Sequence, residues 1–392
     1  DGAVLVDELD VLVVSPGVPA DHPMVASAEV AGILSISELE LAWRTTAADV
    51  VAVTGTNGKS TTVTLIHALL EAAGHGSVLA GNIGTALSDE VESVRPDGVL
   101  VVECSSFQLE RIMEFQPRVA AVLNVAPDHL DRYATFEDYA AAKRNLLRNQ
   151  QPGDRFVYPV DDPRLEEWAR AAVAETVTFA AGPSAGARVW VDEGWIRRAV
   201  RGGSEDVLPT ADLRLIGRHN LLNVTAAIAC VEPWAIPAEQ IAGVLREFQA
   251  LPHRAVRVES GDDRTWIDDS KATNVHAASA TLAGLAGPVV LLVGGSGKDE
   301  DYSPLARFGD RVRVALCFGD EGDRLRDALS GAIECDRFDS LETAMARAAE
   351  VAMPGDTILL SPACASFDEF SGFAERGDAF VAWVHRNVGV VS

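Results

Sequence analysis

The apolar run Val50–Val53 leads directly into Thr54-Gly55-Thr56-Asn57-Gly58-Lys59-Ser60-Thr61, and an apolar-periodic stretch follows to about Ala73. A strand, a glycine-rich turn and a helix start in immediate succession constrain this chain more than any other feature. They belong to a parallel α/β sheet, and they aim the first amides of a helix, with the positive end of its dipole, at a phosphate. Lys59 adds a point charge and Ser60 a hydroxyl suited to Mg²⁺. Val53 stands where the first glycine of a full GxxxxGK[ST] loop would be, so the loop is the shorter GxxGKS form. The plainer alternative is that Gly55 and Gly58 only turn the chain.

Alternation of short apolar runs with helical stretches extends the α/β reading along the chain. Val11–Val14, Val78–Ala80, Val99–Val102 and Val119–Val125 read as strands, and residues 136–148 as a helix. The polar, glycine-rich interval 181–209 breaks the series. Its alternating segment Arg188–Val191 and the turn at Glu193-Gly194 predict a small antiparallel insertion. Helices over 220–231 and 237–248 come next, then a linker at Leu251-Pro252-His253-Arg254. A second α/β series follows, with strands at 265–267, 289–293, 314–318 and 357–360, predicting a Rossmann-like carboxy-terminal domain. At 392 residues the chain is long enough for two or three domains.

Lys and Arg number 33 against 58 Asp and Glu, a formal charge of −25 that argues against nucleic acid as a partner and leaves any anionic substrate to a local site. No apolar run approaches the roughly 20 residues needed to span a bilayer, so no membrane role is expected. Five scattered cysteines without a CxxC pair point to a reducing compartment, and the chain is expected to be cytoplasmic. It opens at Asp1 without a signal peptide or an initiator methionine, so the true amino terminus is expected to be missing. Asp299-Glu300-Asp301 is expected to be a solvated acidic loop rather than a metal site.

Several side chains sit where chemistry can use them. Glu103 closes the run Val99–Val102, at the strand end where ligands meet parallel sheets, and a carboxylate there can complete the Mg²⁺ shell begun by Ser60. Asn124 ends the next strand and leads to Asp128-His129-Leu130-Asp131-Arg132-Tyr133. Taken alone, His129 is as readily structural, because imidazole is an uncommon Mg²⁺ ligand. Likewise Lys143 is an ordinary helix lysine, Gly81-Asn82-Ile83-Gly84 an adequate turn, and Asn220 a helix cap.

Taken together these motifs resemble the Mur ligase family. The loop Thr54–Thr61 is similar to the ATP loop of Mur ligases and folylpolyglutamate synthases, and residues 103–110 to the family's E-x-SSFQLE segment. Similarity continues through Asp128–Tyr133, Gly217-Arg218-His219-Asn220 to Asn223, Leu251–Arg254, Asp269–Asn274 and Ser361–Phe370. The last is most similar to the branch that adds D-glutamate, and the DNPR segment that grips diaminopimelate or lysine is absent.

The resemblance implies an ATP-dependent amide-bond ligase acting on UDP-N-acetylmuramoyl-L-alanine and D-glutamate in peptidoglycan precursor synthesis, the alternatives being another Mur or folylpolyglutamate-type ligase or a non-catalytic ATP-binding relative. It implies three domains: a truncated Rossmann-like remnant of the UDP-substrate domain (1–39), a central P-loop ATPase domain with a parallel sheet (40–250), and a Rossmann-like amino-acid domain (251–392). Closure about linkers near Leu39 and Leu251 would assemble the site, and a monomer is expected.

For individual residues it implies ATP contacts from Gly55, Thr56, Asn57, Gly58, Lys59, Ser60, Thr61, Asn220, Asn223, Arg254, Asp269 and Lys271. Two Mg²⁺ would be held through Ser60, Glu103, His129 and a carbamate formed on Lys143. The nucleotide-linked substrate would meet Gly17 of Ser15-Pro16-Gly17, Asn82 and His129, and D-glutamate would meet Thr273, Lys298, Ser366, Phe367 and Phe373. Lys59, His129, Lys143 and Lys271 would carry the catalysis. One departure stands out: nothing before Asp10 could supply the glycine-rich strand–loop–helix with which the family holds the uridine diphosphate.

Overall fold

The computed structural model describes residues 9–19, 22–130, 132–297 and 299–390. The chain forms two compact units. One comprises residues up to Val125 with Glu137–Leu213 and Asn220–Phe248; the other comprises Ala126–Phe136, Arg214–His219 and the chain from Gln249 onward.

In the first unit, β1 (Val11–Val14) and β2 (Leu34–Ser37) make a two-stranded parallel sheet. The remaining strands are β3 (Asp49–Thr54), β4 (Ser77–Gly81), β5 (Val99–Glu103), β6 (Val119–Val122), β7 (Arg155–Pro159), β8 (Glu175–Phe179), β9 (Val189–Asp192), β10 (Trp195–Val200) and β11 (Gly203–Pro209). They form a nine-stranded sheet in the order β11-β10-β9-β8-β7-β6-β3-β5-β4. Pairing is parallel from β4 through β9 and antiparallel across β9, β10 and β11. The antiparallel end is the insertion expected from the break in pattern. Its turn places both Glu193 (φ 48°) and Gly194 (φ 78°) in the left-handed region, as a tight hairpin requires. Because β3 lies between β5 and β6, the ends of three strands meet at its carboxyl edge.

The second unit holds β12 (Val256–Val258), β13 (Thr265–Asp268), β14 (Val289–Gly294), β15 (Val312–Phe318), β16 (Glu334–Phe338) and β17 (Thr357–Leu360), in the order β12-β13-β17-β14-β15-β16. All neighbours are parallel except β12 with β13. Leu291, Val293, Ala315, Cys317 and Leu359 pack on one face, and Val290, Leu292, Val314, Leu316 and Ile358 on the other. Both faces are therefore covered, which is why these strands read as continuous apolar runs.

Three expectations are corrected. Leu39 is no linker residue: it lies in the helix Glu38–Thr45, fully buried with Ala42, Val50 and Leu100. Glu300 is not solvated, since its buried carboxylate accepts the Val275 amide at 2.8 Å and caps the helix Val275–Gly284. The helix begun at Phe136 is α-helical only to Arg144 and tightens to a 3₁₀ turn at Asn145–Leu147. The five cysteines are free thiols. Among the described residues no helix is long and apolar enough to cross a membrane.

Glu40 anchors the loop that leads into β6. Its fully buried carboxylate accepts the amides of Met113, Glu114 and Phe115 at 2.9–3.1 Å and the Arg44 guanidinium at 2.8 Å. Removing it strands several donors at once. Glu40→Ala is expected to lower the unfolding free energy by about 3 kcal/mol in urea titrations, whereas Glu92→Ala, at an exposed position, should change it little.

Candidate active site

The nucleotide loop leaves the sheet at the end of β3. Thr54 closes the strand with its carbonyl accepting the Leu123 amide at 3.0 Å, and its hydroxyl donates to the Cys104 carbonyl at 2.8 Å. Beyond it the Thr56 amide donates to the Asn124 carbonyl at 3.1 Å and the Asn57 amide to Asn124 Oδ1 at 2.9 Å, while Asn124 Nδ2 donates to the Asn57 carbonyl at 3.0 Å. Two of the amides expected to cradle phosphate are thus used inside the protein. Gly58 then caps the helix Lys59–Ala72, whose first bond runs from the Thr62 amide to the Gly58 carbonyl at 3.0 Å. The amides of residues 58–61 have no acceptor within that helix, and such a helix start is the set of donors that suits an anion.

Any other residue at Gly58 would be strained and would displace a neighbour. Gly58 has φ 88°, and an added Cβ would stand 2.3 Å from Asn223 Oδ1. Asn223 Nδ2 in turn donates to Asn220 Oδ1 at 3.2 Å, both side chains being buried on the helix Arg218–Cys230. The asparagine pair identified in the sequence therefore reaches the loop itself.

Two lysines converge on one carbonyl. Lys59 Nζ donates to Gly55 O at 2.8 Å and Thr56 O at 2.9 Å, and Lys143 Nζ donates to the same Gly55 O at 3.0 Å. Lys143 is 1 % exposed, with its ammonium 4.5 Å from the centre of the Tyr139 ring. The Tyr139 hydroxyl pairs with Thr56 Oγ1 at 3.1 Å, so this helix face and the loop are one assembly.

At the end of β5, Glu103 is 2 % exposed. Its Oε1 accepts from Asn82 Nδ2 at 2.7 Å, while its buried Oε2 finds no donor among the described residues. A desolvated carboxylate oxygen without a donor suits a cation. Among the described residues no cluster of three or more His, Cys, Asp or Glu could hold a metal unaided.

In the second unit the loop after β13 is the organiser. Asp269, expected to face nucleotide, turns inward: its carboxylate accepts Thr281 Oγ1 at 2.6 Å, Ser361 Oγ at 2.9 Å and the Ala255 amide at 3.1 Å. Burial pushes its pKa up to about 7, against those three donors. Lys271 Nζ sits 4.1 Å from the centre of the Phe373 ring. Arg254 is half-buried, between His253 and Ala255, and Thr273 is half-buried beside Asn274. Asn274 Nδ2 donates to Asp128 Oδ2 at 3.1 Å, which brings the segment bearing His129 to this loop. His129 has φ 55°, with its amide on Asp128 Oδ1 at 2.9 Å.

Ser366 is buried, whereas its neighbour Phe367 is 74 % exposed. Gly17 lies in an exposed turn after β1. Lys298 and Asp131 lie outside the described residues.

Arg376 is the residue whose importance the sequence did not reveal. Fully buried, it donates to the carbonyls of Ser270 (2.8 Å), Cys364 (3.0 Å) and Ala365 (2.9 Å) and to Ser270 Oγ (3.0 Å), with Gly294 O at 3.5 Å. One guanidinium thereby ties together the loops after β13, β14 and β17. Burial pushes its pKa down to about 10, which still leaves it charged at neutral pH. The one hint in the sequence was its place just after the Ser361–Phe370 segment.

Comparison with known proteins agrees with this geometry. The family model for the Mur ligase middle domain matches residues 53–231, and that for the Mur ligase glutamate ligase domain matches residues 253–364. The UDP-N-acetylmuramoylalanine--D-glutamate ligase of Pelotomaculum thermopropionicum is 41 % identical over 377 residues, spanning 95 % of this chain and 83 % of the relative. Its namesake from Salinibacter ruber is 40 % identical over 95 % of this chain and 84 % of its own. Among solved structures, the MurF ligase from Thermotoga maritima in complex with ADP superposes with a TM-score of 0.68 at 18 % identity, covering 98 % of this chain and 96 % of that one. The chain belongs to the Mur ligase family of ATP-dependent ligases.

The inward Asp269 carries a pH signature. Its folded pKa of about 7 lies above the ordinary 3.8, so the folded state holds a proton that the unfolded chain releases. Its contribution to stability is greatest below pH about 4 and is lost as pH rises through about 7. Asp269→Asn should therefore gain stability relative to the parent on going from pH 5 to pH 8, measured by urea unfolding at both; a constant difference would contradict the assignment.

Proposed function

We propose that this chain uses ATP to join D-glutamate to the carboxylate of UDP-N-acetylmuramoyl-L-alanine, a step in making peptidoglycan precursor. The observation that carries the reading is the 41 % identity, over 95 % of the chain, to a ligase named for that reaction. A carboxylate oxygen of the muramoyl-alanine attacks the γ-phosphorus, the bond to the ADP oxygen breaks, and an acyl phosphate results. The neutral amine of D-glutamate then attacks the acyl carbon, loses a proton, and expels inorganic phosphate.

Charge management on the transferring group is most of such catalysis. The amides of Gly58, Lys59, Ser60 and Thr61 receive phosphate oxygens, and Lys59 exchanges its carbonyl acceptors for them. Asn220 and Asn223 hold the nucleotide side of the loop, and Arg254 and Lys271 are assigned to ATP as well. Ser60 and Glu103 are the protein ligands that fit Mg²⁺, which when bound neutralises phosphate charge. A second Mg²⁺ would use His129 and Lys143 as its carbamate. Gly17 and Asn82 are assigned to the nucleotide-linked substrate, and Thr273, Lys298, Ser366, Phe367 and Phe373 to D-glutamate.

Phosphate release is the test, with ATP, Mg²⁺ and UDP-N-acetylmuramoyl-L-alanine present and the amine varied. D-glutamate should support release while L-glutamate, L-lysine and diaminopimelate do not, and Lys59→Ala should reduce kcat by about 100-fold or more. Release with a folate and L-glutamate instead would assign the chain to the folylpolyglutamate-type reaction.

A further inference from the structure

We propose that Asn124 is a positioning residue that decides which backbone groups of the nucleotide loop face phosphate. The proposal rests on the loop's assignment to ATP. Asn124 lies two residues past the end of β6 and 67 residues from its partner in sequence. Its backbone continues the β3–β6 pairing outside the sheet, with the Leu123 amide on Thr54 O at 3.0 Å and the Thr56 amide on Asn124 O at 3.1 Å. Its side chain then pairs with Asn57 as a second backbone would, Oδ1 accepting the Asn57 amide at 2.9 Å and Nδ2 donating to the Asn57 carbonyl at 3.0 Å. These two partners fix the orientation of the amide group, because only one end accepts and only the other donates.

The consequence is electrostatic. A loop that binds anions has to present N–H groups and keep carbonyl oxygens turned away. Asn124 holds the Asn57 carbonyl on its own amide, and Gly58 follows at once as the cap of the helix Lys59–Ala72. On the other flank Asn223 Oδ1 closes over Gly58, where a Cβ would stand 2.3 Å away. Asn124 thus holds the loop on one side while Asn223 packs against Gly58 on the other, and a loop held in its binding conformation removes an ordering cost from binding. No other side chain of this length offers both a donor and an acceptor in one plane: aspartate keeps the acceptor, but sets a negative charge against the Asn57 carbonyl and the phosphates.

The experiment measures the Kd of Mg·ATP by calorimetry for the full chain, without the other substrates, together with backbone amide exchange over residues 54–61. Asn124→Ala is expected to raise Kd at least tenfold and to speed exchange in the loop, and Asn124→Asp to weaken ATP binding at least as much. A merely structural role would lower the melting temperature and leave Kd and loop exchange near those of the parent. Kd within twofold of the parent in either folded variant overturns the proposal, and the isosteric aspartate serves if the alanine variant does not fold. Should the parent bind Mg·ATP yet make no product with D-glutamate, the proposed function falls, and the proposal for Asn124 still stands or falls on the ATP affinities.

Discussion

Where a parallel strand ends and its loop turns away, carbonyl oxygens lose their sheet partners and must be satisfied by something else, at about 1–3 kcal/mol for each one left buried and unpaired. Both sheets of this chain meet that constraint with cations. In the first unit the Gly55 carbonyl takes the ammonium groups of Lys59 and Lys143. In the second, Arg376 gathers the carbonyls of Ser270, Cys364 and Ala365. Lys59 and Lys143 are thereby held on a neutral acceptor that a phosphate oxygen can outcompete.

This arrangement reconciles a formal charge of −25 with anionic substrates. Most of the surface repels them. Attraction is left to local places such as the Gly55 carbonyl, where the ammonium groups of Lys59 and Lys143 are gathered on a backbone dipole. Acidic groups near the loops are tied down: Asp269 by three donors, Glu300 by the amide of Val275, and Asp368 by Ser296 and the Asp320 amide at 3.3 and 3.2 Å. Glu103 is the exception, with one oxygen left over, and it stands where a cation is wanted.

The parts legible in the sequence are those with a local pattern. Strands buried on both faces, such as Val289–Gly294, announce themselves as apolar runs, and the loop from Thr54 to Thr61 is contiguous. Strand β16, Glu-Cys-Asp-Arg-Phe, was not legible, because an edge strand with half-exposed faces needs no apolar run. Nor could spacing show that Asn124 would turn back on Asn57, or that Arg376 would lie inside rather than on the surface of the helix Phe373–Asn387, since an arginine is ordinarily exposed. Asp269 was identified, but its partners Thr281, Ser361 and the Ala255 amide were not. Adjacent acids in Asp268-Asp269 look equivalent in sequence, and only the third dimension shows that one meets His253 at 2.6 Å while the other meets Thr281 and Ser361.

That difference bears on Arg254. His253 (φ 61°) and Ala255 (φ 52°) both occupy the left-handed region, which costs non-glycine residues about 1–3 kcal/mol each and persists only where surroundings enforce it. The enforcement is visible: Asp268 holds the His253 ring, the Lys271 amide donates to the His253 carbonyl at 3.0 Å, and Asp269 accepts the Ala255 amide. Gly377 leaves room for the ring, since a Cβ there would stand 2.0 Å from His253 Nδ1. The two aspartates thus fix the backbone on either side of Arg254. A residue pattern that looks like an acidic ligand set is, in this fold, also the scaffold that holds a strained turn in place.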